Sequence, residues 1–210
     1  MLALLLLAFG IVRPASAEIQ FDVFLGYDRS TDQIQFGISL DAEGNYTTPI
    51  DLNLDTAGGL ADLTFNAQAS AGAALQADLA FALDVGALIG GADFLDSFFI
   101  TDASVHGEVS ASADDIDATA RFGFIGVNIV DGHAGAEASF DLSLNDPGTV
   151  PDGRITLREL ADGISNPGTF VHAGIGGNIA LVLPISAPFL GIAAGPTTTL
   201  SVSIPDIRDL

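Results

Sequence analysis

The feature that most constrains this chain is a two-residue alternation of apolar and polar side chains. From Ala61 to Ala87 every odd-numbered residue is apolar, whereas the even-numbered ones are mostly Asp, Thr, Asn, Gln, Ser, Gly or Ala. Successive side chains of a β-strand point to opposite faces of a sheet, so this period predicts strands with one buried face. A single strand of that length is unusual, and we therefore expect a bend or loop near Gly72.

A change of phase in the alternation predicts a hairpin after Ala113. Odd positions are apolar or small up to Ala113, and even positions are apolar from Ile116 onwards. A two-residue loop at Asp114-Asp115 places Ala113 opposite Ile116 on the same face. The same register places Glu108 opposite Arg121 as a cross-strand ion pair.

Two later signals complete a predicted three-stranded meander over residues 98–144. The pattern shifts at Ile125-Gly126, which indicates a β-bulge. Asp131-Gly132 is a dipeptide that type I′ hairpins favour. One helical segment is expected at 155–162. Shorter strands are expected at 19–28, 33–41, 48–55, 169–183 and 198–204.

Charge and cysteine content narrow the possible partners. The chain carries a net charge of −21, with 27 acidic residues against six Arg. The electrostatic field of so negative a chain repels nucleic acid and anionic membranes. It attracts cations, and Asp is a hard oxygen ligand suited to Ca²⁺. A solubilising acidic surface is the alternative for most of these carboxylates. The chain has no Cys, which excludes disulfides and thiolate metal sites.

The N-terminus is interpreted as an export signal. Leu2–Val12 is an apolar run of signal-peptide length, and Ala15-Ser16-Ala17 after it is a small-x-small cleavage pattern. Cleavage there would leave Glu18 as the first residue. Nothing basic precedes Arg13, so an internal apolar segment of a longer reading frame is the alternative interpretation.

The best chemical motif is the segment DGRITLREL at residues 152–160. It resembles the second half of an EF-hand or dockerin-type calcium loop, in which an Asp ligand precedes a turn Gly and a Glu closes the site with both oxygens. The resemblance implies ligation by Asp152, the backbone carbonyl of Arg154, Thr156 and Glu159.

The first half of the loop departs from the calcium pattern. Strict spacing puts Gly148 and Val150 where carboxylates belong. Asp146 serves as a ligand only if the loop is two residues longer. A decayed calcium loop, kept as a turn between a strand and a helix, is the alternative.

Signatures of catalysis are missing from the sequence. It contains no Gly-x-Ser-x-Gly elbow, no P-loop and no HExxH motif. His106, His133 and His172 lack metal-ligand spacing and are interpreted as surface residues. Asp114-Asp115 is interpreted as a turn and not as an acid–base pair. We therefore expect no catalytic residue and no enzymatic activity.

Two stretches, FFITDASVHGEVSASADDIDATARFGFIGVNIVDG and DPGTVPDGRITLREL, resemble segments of very long secreted bacterial repeat proteins. In such proteins Ala/Asp/Gly-rich β units are punctuated by calcium-type loops. The resemblance covers residues 60–205. It implies a non-enzymatic, adhesin-like module that is secreted or on the cell surface, with Ca²⁺ as its cofactor. It also implies a surface ligand or neighbouring repeats of the same protein as partners.

The predicted fold is all-β. Long antiparallel strands form meanders, arranged as a sandwich or as an extended, solenoid-like sheet, and one short helical turn follows the calcium-type loop. The expected divisions are a signal peptide at 1–17, a β meander domain at 18–145, the loop at 146–162 and a C-terminal β segment at 163–210. We expect the last segment to continue into a longer parent protein.

Two other functions stay open at this point. An outer-membrane β-barrel would suit an export signal followed by alternating strands. Against it, the apolar face is rich in Ala, Trp is absent and there are only two Tyr, so we expect no membrane insertion. A secreted hydrolase on a β scaffold is the other alternative.

Overall fold

A single antiparallel sheet accounts for most of the molecule. The computed structural model describes residues 16–56, 61–123, 125–148, 152–164, 168, 170–192 and 198–209. The strands there are β1 (Ser16–Asp28), β2 (Gln33–Thr56), β3 (Ala61–Asp84), β4 (Phe98–Phe122), β5 (Ile125–Leu144), β6 (Ile155–Thr156), β7 (Val171–Ser186) and β8 (Thr199–Ile204). The apolar run of the predicted export signal, Leu2–Val12, lies outside the described residues.

The long strands pair with their neighbours in sequence, so the sheet is a meander. Its order is β1-β2-β3-β4-β5-β7-β8, and the short β6 pairs with the start of β4. Every pairing is antiparallel. The predicted all-β fold with long antiparallel strands is confirmed, and its form is the extended sheet. β2 and β3 have 24 residues each, which corresponds to roughly 80 Å.

Short helices follow or precede the strands. They are α1 (Val85–Ile89), α2 (Phe94–Ser97), α3 (Leu157–Gly163) and two 3₁₀ turns, Pro188–Leu190 and Ile207–Asp209. The helix α3 confirms the segment predicted at 155–162. The helix α1 replaces the end of the strand pattern that was predicted as far as Ala87, because the Asp84 carboxylate accepts a hydrogen bond from Ala87 N–H (2.8 Å) and caps a helix there. Asp93 caps α2 through Leu95 N–H (3.0 Å).

The predicted hairpin at Asp114-Asp115 is wrong. β4 continues through this dipeptide, and Ala113 lies opposite Ala69 of β3 and Ala134 of β5. The register shifts by one residue against both neighbours, and Asp115 has a φ of 51°. A β-bulge adds one residue to a strand, so the apolar positions change from odd to even numbers beyond it. A two-residue hairpin loop produces the same change in the sequence pattern.

The predicted pairing of Glu108 with Arg121 is wrong for the same reason. Glu108 lies opposite Ala74 and Ser139. Arg121 lies opposite Asp62, and its Nη1 atom is 4.0 Å from Asp62 Oδ2.

The next bulge and hairpin are interchanged relative to the prediction. Phe122 pairs with Ile125, so the hairpin falls where a bulge was expected. β5 runs through Asp131-Gly132, where a hairpin was expected, and is bulged there with φ of 53° at Asp131. Residues 98–144 therefore hold two strands and not three. Asp tolerates positive φ better than most residues, so the local sequence suits both structures.

Two predicted breaks in strands are also wrong, one near Gly72 and one between the predicted strands at 33–41 and 48–55. Gly72 lies within an unbroken β3, opposite Asn45 and Ser110. The predicted strands at 33–41 and 48–55 form the single strand β2. In the described chain β1 pairs with β2 only as far as Asn45. Within the described residues, Pro49 therefore has a strand partner on one side only, Gln68 of β3, and its missing N–H is tolerated there.

The register sorts the strand side chains onto two faces. One face, here called the apolar face, has rows such as Leu25-Phe36-Phe81-Ile100 and Phe21-Leu40-Ala77-Val105-Leu142-Ala173. The strand positions that the structure describes on this face carry no charged side chain. The opposite face, here called the acidic face, has rows such as Gln20-Asp41-Gln76-His106-Asp141.

Little of the apolar face is buried. Among the described residues, the buried apolar ones are Ala42, Ala67, Ala82, Phe99, Ile100, Ile116, Ile155, Phe170 and Ala187. By contrast, Ile19 is 70% exposed and Leu25 is 75% exposed. The described sheet therefore leaves most of its apolar face in contact with solvent.

Candidate functional site

The predicted calcium loop folds around the carboxylate of Asp146. Asp146 Oδ1 accepts a hydrogen bond from Gly148 N–H (2.7 Å). Its Oδ2 accepts from Asp152 N–H (2.7 Å) and Gly153 N–H (3.1 Å). The bond from Gly148 lowers the pKa of Asp146 most, and the bonds from Asp152 and Gly153 act in the same direction. These contacts hold Asp146 beside Asp152.

The second half of the loop passes into helix α3 through a capping box. Gly153 has a φ of 76°, which permits the sharp turn. Asp152 Oδ1 accepts a hydrogen bond from Arg154 N–H (3.0 Å). Glu159 Oε2 accepts from Thr156 N–H and from the Thr156 hydroxyl (2.9 Å each), and Thr156 Oγ1 accepts from Glu159 N–H (3.1 Å).

The structure brings together two of the predicted ligands. Asp146 and Asp152 share one neighbourhood, whereas the Glu159 carboxylate is engaged with the N-terminus of its own helix. Within the described ranges, no group of three or more His, Asp or Glu side chains is placed to hold a metal ion. Val150 lies outside the described residues. Calcium binding here stays a prediction.

Backbone pairing and an aromatic contact attach the loop to the sheet. Ile155 and Thr156 form β6, which pairs with Ile100 and Phe99 of β4. The guanidinium carbon of Arg154 lies 4.8 Å from the centroid of the Phe99 ring, within the range of a cation–π contact. Ile155 and Phe99 are both buried, so this junction is one of the best-packed parts of the molecule.

Arg158 adds an ionic link between helices α3 and α2. Its Nη2 atom is 3.1 Å from Asp93 Oδ2 and 3.1 Å from Asp96 Oδ2. The hydrogen bond to Asp96 raises the pKa of Arg158. The hydrogen bond from Leu95 N–H lowers the pKa of Asp93, and the charge of Arg158 adds to that effect. The loop and α3 are thus fixed to one end of the sheet.

A second polar site, which the sequence analysis missed, lies on the acidic face. His106 Nδ1 is 2.6 Å from Asp141 Oδ1, because the register of β4 and β5 places these residues opposite each other. Only the correct register could have revealed this pair. His106 borders a groove of about 330 Å³, whose other lining residues are Glu18, Gln20, Asp41, Ala42, Glu43, Ala74, Leu75 and Gln76. All three His side chains are exposed, as predicted.

The apolar face carries a groove of its own. Its volume is about 410 Å³, and its lining includes Phe21 of β1, Leu40 of β2, Leu79 of β3, Val105 of β4 and Leu142 of β5. Phe21 and Leu142 line one cavity although three strands separate them. The apolar face is therefore concave at this level.

Comparisons with protein-family models, with curated proteins and with solved structures give no match to this chain. No helix in the described part of the chain combines the length and apolar character needed to cross a membrane.

Proposed function

We propose that this chain is a non-enzymatic structural or binding module of a secreted or cell-surface protein. The observation that carries the proposal is the sheet, a plate with strands of up to 25 residues and one acidic and one apolar face. Strands of five or six residues are the common length in globular domains. A long amphipathic plate presents surface for contact, which is what a structural module requires.

Neighbouring repeats of the same protein are the partners that this architecture suits. In the described chain β1 pairs only with β2, and β8 pairs only with β7, so these two strands are the edges of the described sheet. A further strand can add to such an edge by main-chain hydrogen bonding. Because each long strand contacts its sequence neighbours, repeats could extend the sheet without changing its topology.

Export is tested by expressing the full chain in a bacterial host and measuring the intact mass in each cell fraction. The expected result is an exported form that begins at Glu18. The matched control is Ala17→Phe, which places a large residue at the cleavage site and should leave the precursor uncut. An uncut wild-type chain that stays in the cytoplasm would overturn the proposed location.

Calcium stiffening of the loop is the second part of the proposal. Asp146 and Asp152 already lie together, and the predicted set is completed by the Arg154 carbonyl, Thr156 and Glu159. Oxygen ligands of this kind are those that Ca²⁺ prefers. A bound ion would tie the start of the loop to its second half, which Arg154 and Arg158 fix to the sheet.

The melting temperature with and without Ca²⁺ tests this part. Binding to the folded state should stabilise wild type by about 2.7 kcal/mol at a concentration of 100 times Kd. Mg²⁺ at matched ionic strength is the control, because it needs a tighter octahedral site. Glu159→Gln removes the carboxylate but keeps the capping box, which accepts Gln. An equal gain in wild type and Glu159→Gln would show that the loop does not bind Ca²⁺ through Glu159.

A further inference from the structure

The apolar face is an extended surface of apolar side chains that the described chain leaves largely uncovered. It exposes a large apolar side chain in each of the strands β1–β5, β7 and β8, among them Leu25, Leu52, Leu79, Val109, Phe140, Ile175 and Val202. Single exposed apolar residues are normal in soluble proteins. A contiguous surface of this kind marks a contact site, because monomers rarely expose more than a few hundred Å² of it.

The size of the face can be compared with what a stable interface needs. Seven strands lie side by side, and the longest has 25 residues. At about 3.3 Å per residue and 4.8 Å per strand, the full rectangle measures roughly 80 by 30 Å. Half of that rectangle, about 1,200 Å², already exceeds the roughly 800 Å² that each partner gives to a stable protein–protein interface.

We infer that a second copy of this chain covers the apolar face, so that two sheets pack as a β-sandwich. The charge distribution supports this occupant. The strand carboxylates outside the two bulges lie on the acidic face, so a face-to-face dimer keeps them in water on its two outer sides. The regular strand positions that the structure describes on the apolar face carry no charge, so covering them desolvates no carboxylate outside the bulges at Asp115 and Asp131.

The distribution of large and small side chains on the apolar face also suits packing against a second sheet. Across β3, β4 and β5 its middle is shallow, because most residues there are alanines, namely Ala67, Ala69, Ala71, Ala73, Ala111, Ala113, Ala134, Ala136 and Ala138. Larger side chains stand at both ends, including Phe36 and Phe81, whose ring centroids are 6.3 Å apart, and Leu54 and Phe65. Sheets pack about 10 Å apart with large residues against small ones. An offset pairing can therefore seat the bulky end of each copy over the alanine band of the other.

Sedimentation velocity on the full chain tests the inference with variants on adjacent residues. Leu52→Gln/Val109→Gln changes the apolar face, and Asn53→Gln/Ser110→Gln changes the acidic face at the neighbouring positions. Wild type and the acidic-face variant should sediment as a dimer of the 21.4 kDa chain. The apolar-face variant should raise the dimer Kd by about tenfold or more.

A label experiment keeps the inference testable if the apolar-face variant does not fold. The chain has no Cys, so Ala71→Cys and Ser70→Cys each give one spin-label position, on the apolar and acidic faces respectively. The distance between labels of two copies should be shorter for Ala71→Cys. A wild-type monomer at all concentrations overturns the inference. So does a dimer in which the Ser70→Cys distance is the shorter, or a monomer that binds neutral lipid vesicles through this face.

This inference rests on the proposed structural role, but its failure is separable from that of the role. The oligomeric state is measured on purified protein and does not depend on export or on Ca²⁺. If the protein is a monomer, a second copy is excluded as the partner of the apolar face. The proposed secreted or cell-surface location is still tested separately, by the cell-fractionation experiment.

Discussion

Gly107 lies on the apolar face beneath the ring of Phe140, its partner on β5. A Cβ atom at Gly107 would lie 2.0 Å from Phe140 Cε1, so the ring would have to move. We expect Gly107→Ala to lower the free energy of unfolding by about 1–3 kcal/mol, as overpacking does elsewhere. Gly135→Ala is the control in urea denaturation, because a Cβ there meets no atom within 4 Å. Equal effects of the two substitutions would contradict this account.

The Asp146 carboxylate should make the loop sensitive to acid. Its pKa is lowered in the folded chain, mainly by the Gly148 N–H. A carboxyl with a lowered folded pKa contributes stability above its unfolded pKa of about 3.9, and that contribution is lost as the pH falls through the folded pKa. We expect the amides of Gly148, Asp152 and Gly153 to lose hydrogen-exchange protection below about pH 4.

Asp146→Asn is the matched variant for this measurement. The amide removes the titrating charge, so the protection of the three loop amides should be weaker at neutral pH and should change less with acid. Amides of β4, which pair with neighbouring strands, serve as the internal control. An unchanged acid response in Asp146→Asn would show that another group controls the loop.

At the scale of the elements, the sequence predicted which residues are strands better than where the strands end. The alternation in β3 and the helical segment that became α3 were both evident from local pattern. The hairpins were not, because a bulge at Asp115 and a turn at Asp115 flip the alternation in the same way. The choice depends on long-range pairing with β3, which keeps β4 extended for 25 residues. The pairing of His106 with Asp141 was missed for the same reason.

The bulge in β5 depends on a residue that accepts positive φ. Asp131 has a φ of 53°, and its N–H donates to Asp117 Oδ1 (3.1 Å) on β4. A β-branched residue is strained in that conformation. Asp131→Val should therefore destabilise the protein by about 1–3 kcal/mol, whereas Asp131→Gly should be close to neutral. Thermal unfolding of the two variants compares them, and a Val variant as stable as the Gly variant would refute the role of φ.

At the scale of the whole molecule, the alternation indicated one buried face, and the part of the chain that the structure describes leaves most of that face exposed. A single layer cannot cover its own apolar side. Leu25 and Ile19 show this most clearly, at 75% and 70% exposure. The sequence pattern predicts which side chains share a face of the sheet, but it does not predict which layer of structure packs on that face. The same limit applies to the calcium loop, where the pattern gave the residues but not the bonds that Asp146 and Glu159 make.

The acidic face should repel itself, and one pair of residues allows a direct measurement. Glu18 of β1 lies directly opposite Glu43 of β2, and like charges in that position destabilise a sheet. In the full chain, Glu43→Gln should raise the free energy of unfolding by about 0.2–1 kcal/mol at low salt. The gain should shrink in 1 M salt, where the Debye length is about 3 Å. Glu137→Gln is the control, because Glu137 accepts a hydrogen bond from Asn178 Nδ2 (3.0 Å) and should not show that gain. A double-mutant cycle with Glu18→Gln isolates the pair, and a coupling energy of zero at low salt would refute the repulsion.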